Sequence, residues 1–302
     1  MAVITPGMGK PDLGAQTTNW FAGRKTMRRF GQAATYLLLT IGGVVMMVPF
    51  AWLISSSLKS PQDIFVIPPE WIPADPQWSN YKEVMSALPF LSYLKNTLII
   101  TFGALLGQVA SAAISAYSFA RLRWPGRDII FAIILATIMV PYTVTLIPTF
   151  ILFKEFGWLD TYLPLIVPFW FGGGAFNIFL LRQFFRTIPM ELDESARLDG
   201  ASSWRIFVEI ILPLSKPAIA VVSVFGFLSH WNDFFGPLVY LNSEDLRTLA
   251  LGLSALQGLA WGRDATHLVM AVSVIMIAPI VVLFFLAQRT FIEGIVLTGI
   301  KG

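Results

Sequence analysis

The sequence predicts an all-α integral membrane protein with six transmembrane helices, and two observations carry that prediction. First, of its 302 residues 56% are apolar and only 13% are charged, with a mean hydropathy of +0.69. A soluble domain carries about 25% charged residues, so this chain holds half the charge that a water-exposed surface needs. Second, the chain contains six charge-bounded runs of roughly the 20 predominantly apolar residues needed to cross a bilayer core. The same counts narrow the chemistry. With no Cys and two His, His230 and His267, disulfides, thiol catalysis, Cys-ligated metals and a multi-His site are excluded, and no metal site is expected. The net charge of +3 and pI near 9.2 would point to nucleic acid in a soluble chain. Here they read as sidedness in a bilayer, with membrane lipid and no nucleic acid as partner.

Residues 1–32 are polar and too long for the charged start of a secretory signal, so they read as a cytoplasmic N-terminal tail. The first apolar run is 33–55, followed by a Pro-rich outer segment, 56–90, with Trp71 and Trp78. The second run is 96–119, the third 129–152 and the fourth 162–181. An inner loop over 182–216 precedes the fifth run, 217–241, and an outer loop over 242–265 precedes the sixth, 266–287. Residues 33–288 thus form a six-helix transmembrane domain, and 289–302 form a C-terminal tail. Cytoplasmic segments retain Lys and Arg. With the N-terminus inside, fifteen basic residues lie on inner segments and six on outer ones, which places both termini in the cytoplasm.

Several runs carry internal features. In the second, Gly103, Gly107, Ser111 and Ser115 recur every four residues, a ladder that permits close helix contact in lipid; Gln108 is its polar exception. The third contains Pro141 and Pro148 with Tyr142, Thr143 and Thr145 between them, which predicts a kink and a polar stripe facing a cavity. The fourth contains Gly172-Gly173-Gly174 and Asn177, suited to bending or to close backbone approach. The fifth contains His230-Trp231-Asn232-Asp233. Charged groups inside a membrane are costly and mark pathways. A carboxylate, an amide and an indole face are also what holds sugar hydroxyls and ring faces. Trp231, Asn232, Asp233, Asn177, Tyr142 and Thr145 are therefore the candidate substrate-pathway residues; packing and hydrogen bonding between helices is the other reading.

The loop over 182–216 is longer than a connection requires. It reads as two short helices. The first starts after Pro189 with Glu191, Asp193 and Glu194 in its opening turn, where the helix dipole favours acids. Gly200 is placed to end it in the left-handed conformation. Ser202 or Ser203 caps the second, with Trp204, Phe207, Ile210 and Ile211 on one face and Pro213 as its stop. By periodicity it reads as an amphipathic pair at the membrane surface.

The spacing adds a resemblance. Glu194-Ser195-Ala196, three residues, Gly200, nine residues, Ile210, one residue and Leu212-Pro213 resembles the EAA loop of ATP-binding-cassette (ABC) importer permeases, with Ser195 where that family usually has a second Ala. Asn96-Thr97, Ala116-Tyr117-Ser118-Phe119-Ala120-Arg121, Phe176-Asn177-Ile178-Phe179, Arg182-Gln183-Phe184-Phe185, Trp231-Asn232-Asp233-Phe234, Pro237-Leu238 and Lys301-Gly302 are similar to the MalG-like, carbohydrate-uptake branch. The resemblance implies a multi-pass permease of a prokaryotic inner membrane, moving a sugar or sugar derivative by alternating access. Its EAA loop, through Glu194, Ser195, Ala196, Asp199, Gly200, Ala201, Ile210, Leu212 and Pro213, would dock as a coupling helix on separate ATPase subunits. The implied partners are two ABC ATPases, a second homologous permease and an extracytoplasmic sugar-binding protein, met by the outer loop near 250–262; a short re-entrant or interfacial helix is the other reading of that stretch. Gly299, Lys301 and Gly302 would reach the ATPases. The chain contains no G-x-x-x-x-G-K-[ST] sequence, so ATP and magnesium are expected on the partners, with no cofactor and no catalytic residue here. The rival class, a self-contained ion-coupled secondary transporter, calls for an inverted repeat and a relay through Asp233 and His230. For the third class, a membrane hydrolase, neither His has a nearby Ser and acid together at a spacing that suggests a catalytic set.

Overall fold

The computed structural model describes residues 14–260 and 265–299, with side chains described over 29–258 and 265–288. Every regular element among the described residues is helical. The chain divides into two units, 1–55 and 56–302. The first holds most of α1 (Gly14–Ser57), a 44-residue helix with Pro49 inside it. This helix runs without interruption through the 32/33 boundary expected between tail and first span.

The second unit is built on α3 (Phe90–Arg121), preceded by the short α2 (Ser79–Ala87). α3 is a continuous 32-residue helix and is nearly half buried, as a central helix must be. Next come α4 (Arg127–Ala136) and α5 (Tyr142–Glu155). The kink expected near Pro141 is a full break, since Arg127–Met139 and Tyr142–Glu155 meet at 101°. Pro141 precedes α5, with its φ of −62° suited to a helix start, whereas Pro148 sits inside α5. The fourth run is also interrupted: α6 (Leu163–Ile166), a 3₁₀ turn over Val167–Trp170, a break at 171–174 and α7 (Ala175–Phe185).

Two of the three glycines at that break have positive φ, 58° at Gly173 and 81° at Gly174, a conformation costly for residues with a Cβ. A Cβ on Gly173 would lie 2.5 Å from the Ala112 amide nitrogen of α3, so the triplet both breaks the helix and admits close packing. The ladder on α3 packs likewise. Gly107 faces the Trp170 ring, and the Ser111 hydroxyl donates to the Phe169 carbonyl at 2.9 Å. Gln108 meets buried His230 at 2.6 Å.

After α7 come α8 (Glu191–Leu198), α9 (Ser203–Ile206), a π turn over Phe207–Ile211 and α10 (Leu212–Leu214). The fifth run is α11 (Lys216–Trp231), a break at 232–234 and α12 (Phe235–Tyr240). α13 (Leu249–Ala260) and α14 (Thr266–Gly299) complete the unit. The stretch expected near 250–262 is thus a helix as far as Ala260, with Leu249 and Leu256 almost fully buried in a cluster with Tyr93 and Val272; Trp261 lies outside the described residues. Among the described residues, four helices are long and apolar enough to cross a membrane, or up to six if each bent pair is one span.

Candidate functional site: the helical elbow and the aromatic cavity

The elbow begins where α8 ends. Gly200 has φ of 81°, its amide donates to the Arg197 carbonyl at 3.0 Å, and the Ala201 amide donates to Ala196 at 2.9 Å. That pair of bonds is the Schellman C-cap, which a left-handed residue at this position makes possible. Ser202 then caps α9, its hydroxyl accepting from the Arg205 amide at 3.3 Å. Two sequence expectations need correction. Pro213 does not stop the second helix, which continues to Leu214, and the π turn before it accommodates the missing amide. Nor does Trp204 lie on the buried face. It is 62% exposed, and the buried set is Ile206, Phe207 and Ile211. Ser203–Leu214 meets Lys216–Trp231 at 79°.

Glu194, Ser195, Asp199, Gly200 and Pro213 are exposed, whereas Ala196, Ala201, Ile210 and Leu212 are half-buried against the core beneath. The candidate coupling residues therefore divide into an outward row and a supporting row. Leu198 and Trp204 add exposed apolar surface to the outward side.

Sequence reasoning missed what holds the elbow from below. Asp193 is not one of the outward acids. Its side chain is 2% exposed and lies 3.5 Å from the Arg121 guanidinium at the end of α3, itself 1% exposed. Burial pushes the Asp193 carboxyl above the ordinary carboxylate value, opposed by Arg121 and Arg197. Arg121 also donates to the Phe185 and Ile188 carbonyls, each at 2.7 Å. The signal available in the sequence was the Ala116-to-Arg121 stretch, matched but given no role. A cavity of about 550 Å³ lies beside the pair, lined also by Trp124, Met190, Glu194 and Arg197.

The six pathway candidates separate. Tyr142 and Asp233 share a cavity of about 340 Å³ with Thr149, Phe153, Phe169, Phe235 and Tyr240. Asp233 also caps α12, accepting from the Gly236 amide at 3.0 Å. Trp231 belongs elsewhere. At 2% exposure it stacks on Phe227 and its indole nitrogen donates to the Met276 carbonyl at 3.0 Å, so its ring faces are covered by protein. Buried Asn177 is engaged with the Gly173 carbonyl at 2.7 Å and supports the glycine break. Asn232 donates to Leu228, and exposed Thr145 to Tyr142, both along their own helices. Gly299 is the last residue of α14, and Lys301 and Gly302 lie outside the described residues.

The opposite end of α3 is clamped as well. Asn96 donates to the Asp245 and Arg247 carbonyls at 2.7 and 2.9 Å and accepts from Tyr162 at 2.7 Å, while Thr97 accepts from the Leu249 amide at 2.9 Å.

Long and broken apolar helices, joined through a structured elbow, define a helical multi-pass membrane protein. The chain belongs to the family described as binding-protein-dependent transport system inner membrane component, whose model matches residues 100–295. It is the permease subunit of an ABC importer, which displaces the ion-coupled alternative. It is 33% identical over 284 residues to the galactooligosaccharide transport system permease GanQ of Bacillus subtilis, covering 93% of this chain and 99% of the relative. The diacetylchitobiose uptake permease NgcG of Streptomyces coelicolor is 31% identical over 267 residues, covering 87% and 86%. A crystal structure of a bacterial ABC transporter involved in alginate import superposes with a TM-score of 0.75 at 26% identity, covering 88% of this chain and 98% of that one.

Proposed function

We propose that this permease moves a sugar or sugar derivative by alternating access, powered by two ATPase subunits docked on the elbow of residues 191–214. The observation that carries the coupling role is the division of the EAA-like residues. Glu194, Asp199 and Gly200 face outward on a turn capped by the chain itself, and half-buried Ala196, Ile210 and Leu212 anchor it. The chain spans the membrane six times, with both bent elements of residues 127–155 counted as one span and α11 with α12 as another. Both termini lie in the cytoplasm, as the distribution of Lys and Arg favours. Residues 1–32 and 289–302 are cytoplasmic segments flanking the permease domain, and Gly299, Lys301 and Gly302 approach the ATPases. The chain performs no ATP hydrolysis; nucleotide and magnesium reside on the partners.

The sugar reading rests on the named substrates of GanQ and NgcG and on the cavity that Tyr142, Phe169, Phe235 and Tyr240 line together with Asp233. Aromatic faces and a hydroxyl-accepting carboxylate suit a pyranose. A homologous second permease completes the pathway, and an extracytoplasmic binding protein delivers substrate to the side bearing α13.

Affinity purification of the tagged chain from its native membrane tests the assignment. ATPase subunits and a second permease co-purify. Glu194→Lys loses the ATPases while retaining the permease partner, whereas undiminished ATPase recovery in Glu194→Lys refutes docking through the elbow.

A further inference from the structure

We infer that Arg121 is a positioning residue that makes the elbow one rigid body with the end of α3, so that displacement delivered to α8 is transmitted directly into this central helix. The inference rests on the coupling role proposed for the elbow.

The geometry is specific to this end of α3. Arg121 grips three successive parts of the connection: the last residue of α7 through the Phe185 carbonyl, the following turn through Ile188, and α8 through Asp193. One helical turn earlier, the Tyr117 hydroxyl donates to the Ser203 carbonyl at 2.9 Å, and its ring lies 4.9 Å from that of Phe207. α3 thus holds the elbow at both of its helices. A second Arg closes the frame from the other direction: the Arg182 Nε donates to the Phe119 carbonyl at 3.2 Å, and its guanidinium lies 4.0 Å over the Phe131 ring. The path to α11 is different in kind. It runs through Ser215, whose amide is held by Ile211 and Leu212 within the elbow, and then turns by 79°.

A planar guanidinium with five donors can hold several carbonyls and a carboxylate at once, which an ammonium cannot reproduce. Buried and paired, it also fixes geometry, because any sliding of α8 along α3 would separate charges away from water. Among the described residues neither Asp193 oxygen has a hydrogen-bond partner, so the carboxylate relies on nearby positive charge, from Arg121 at 3.5 Å and from Arg197. The stretch that ends α3 thereby acquires a role: Tyr117 and Arg121 carry the load-transmitting contacts, and the buried Ala116 lets the elbow approach.

The chain contains no Cys, so once any cysteines of the partner subunits are replaced, paired nitroxide labels can be placed on it without background. In the complex with its ATPase subunits, labels on exposed Arg123→Cys and Glu191→Cys report the separation between the end of α3 and the start of α8. The expected result is one narrow distance, unshifted between the nucleotide-free and the ATP–vanadate-trapped complex. Adding Arg121→Met broadens it or makes it shift on trapping, and lowers the stimulation of ATP hydrolysis by binding protein by about tenfold; Arg121→Lys does the same to a smaller degree. A distance that shifts on trapping with Arg121 intact overturns the proposal, as does a distribution identical in Arg121→Met and its parent. If Arg121→Met fails to assemble, the trapped-versus-free comparison with Arg121 intact decides alone. Failure of the underlying coupling role is a separate result: ATPase recovery unaffected by Glu194→Lys in the same preparations.

Discussion

Gly173 and Gly200 share a left-handed backbone, with φ of 58° and 81°, yet the structure predicts unequal costs for giving each a Cβ. The backbone term is common to both, about 1–2 kcal/mol for a residue with a side chain. Around Gly200 a new Cβ meets nothing within 4 Å, so Gly200→Ala carries that term and little else. Around Gly173 it would lie 2.5 Å from the Ala112 nitrogen and 2.6 Å from its Cβ, when ordinary contact begins at 3.4 Å. The obstacle is the backbone of α3, which cannot rotate aside, so α7 must move away by about 1 Å. Overpacking of that kind adds about 1–3 kcal/mol. Thermal unfolding of the detergent-purified permease, followed by tryptophan fluorescence, reads the difference at about 2–4 °C for each kcal/mol. Gly200→Ala should lower Tm by a few degrees and Gly200→Asn by less, because Asn tolerates this conformation. Gly173→Ala should lower it by about twice as much as Gly200→Ala or more. Equal melting of the two alanine variants would refute the reasoning, since it leaves no contribution from the α3–α7 approach.

Two further outcomes follow from individual contacts. Trp231→Phe keeps the stack on Phe227 but deprives the Met276 carbonyl of its indole donor; it should cost about 1–3 kcal/mol of stability and leave substrate preference unchanged. An altered preference at parental stability would return Trp231 to the pathway. Asp160, in the turn between α5 and α6, accepts from the Ser243 hydroxyl and from the Ser243 and Asn242 amides, and these hold its carboxyl below the ordinary value of 3.8. A depressed carboxyl stabilises the fold above its unfolded value and loses that contribution as pH falls through the folded one. Asp160→Asn, which tolerates the positive φ of 57° there, should therefore melt below the parent at pH 7, with the gap closing only at pH below about 4. A gap constant down to pH 3 would show that charge plays no part.

The legible features were the local ones. A helix whose end is set by Asp199-Gly200-Ala201-Ser202 has its instructions within six residues, because the Schellman bonds and the Ser202 cap close between near neighbours. Pro141 likewise announced a disruption of the third run, although its angle, 101°, exceeded a kink. On the second elbow helix the period placed Phe207 and Ile211 on the buried face, whereas Trp204, at the start of that helix, packs its ring against Phe207 at the edge of the core and stays 62% exposed. Trp231 was misplaced for another reason. In a membrane protein the lipid-facing and core-facing surfaces are both apolar, so a polar or aromatic residue in an apolar run carries no mark of which it faces.

That distinction separates the two levels. Composition and run length were enough for an all-α membrane protein, since the cost of leaving backbone groups unpaired in hydrocarbon leaves few alternatives. The spacing around Gly200 was enough to mark the elbow. Tertiary structure alone decided that Asp193 turns inward to Arg121, 72 positions earlier in the chain, while Glu194 beside it faces out. It alone put Tyr142 and Asp233 into one cavity and closed Trp231 off from it. Those outcomes depend on which helices lie against one another. Side chains on α3, α8 and α11 acquire partners only when the broken spans fold back on α3, and no local periodicity encodes that meeting.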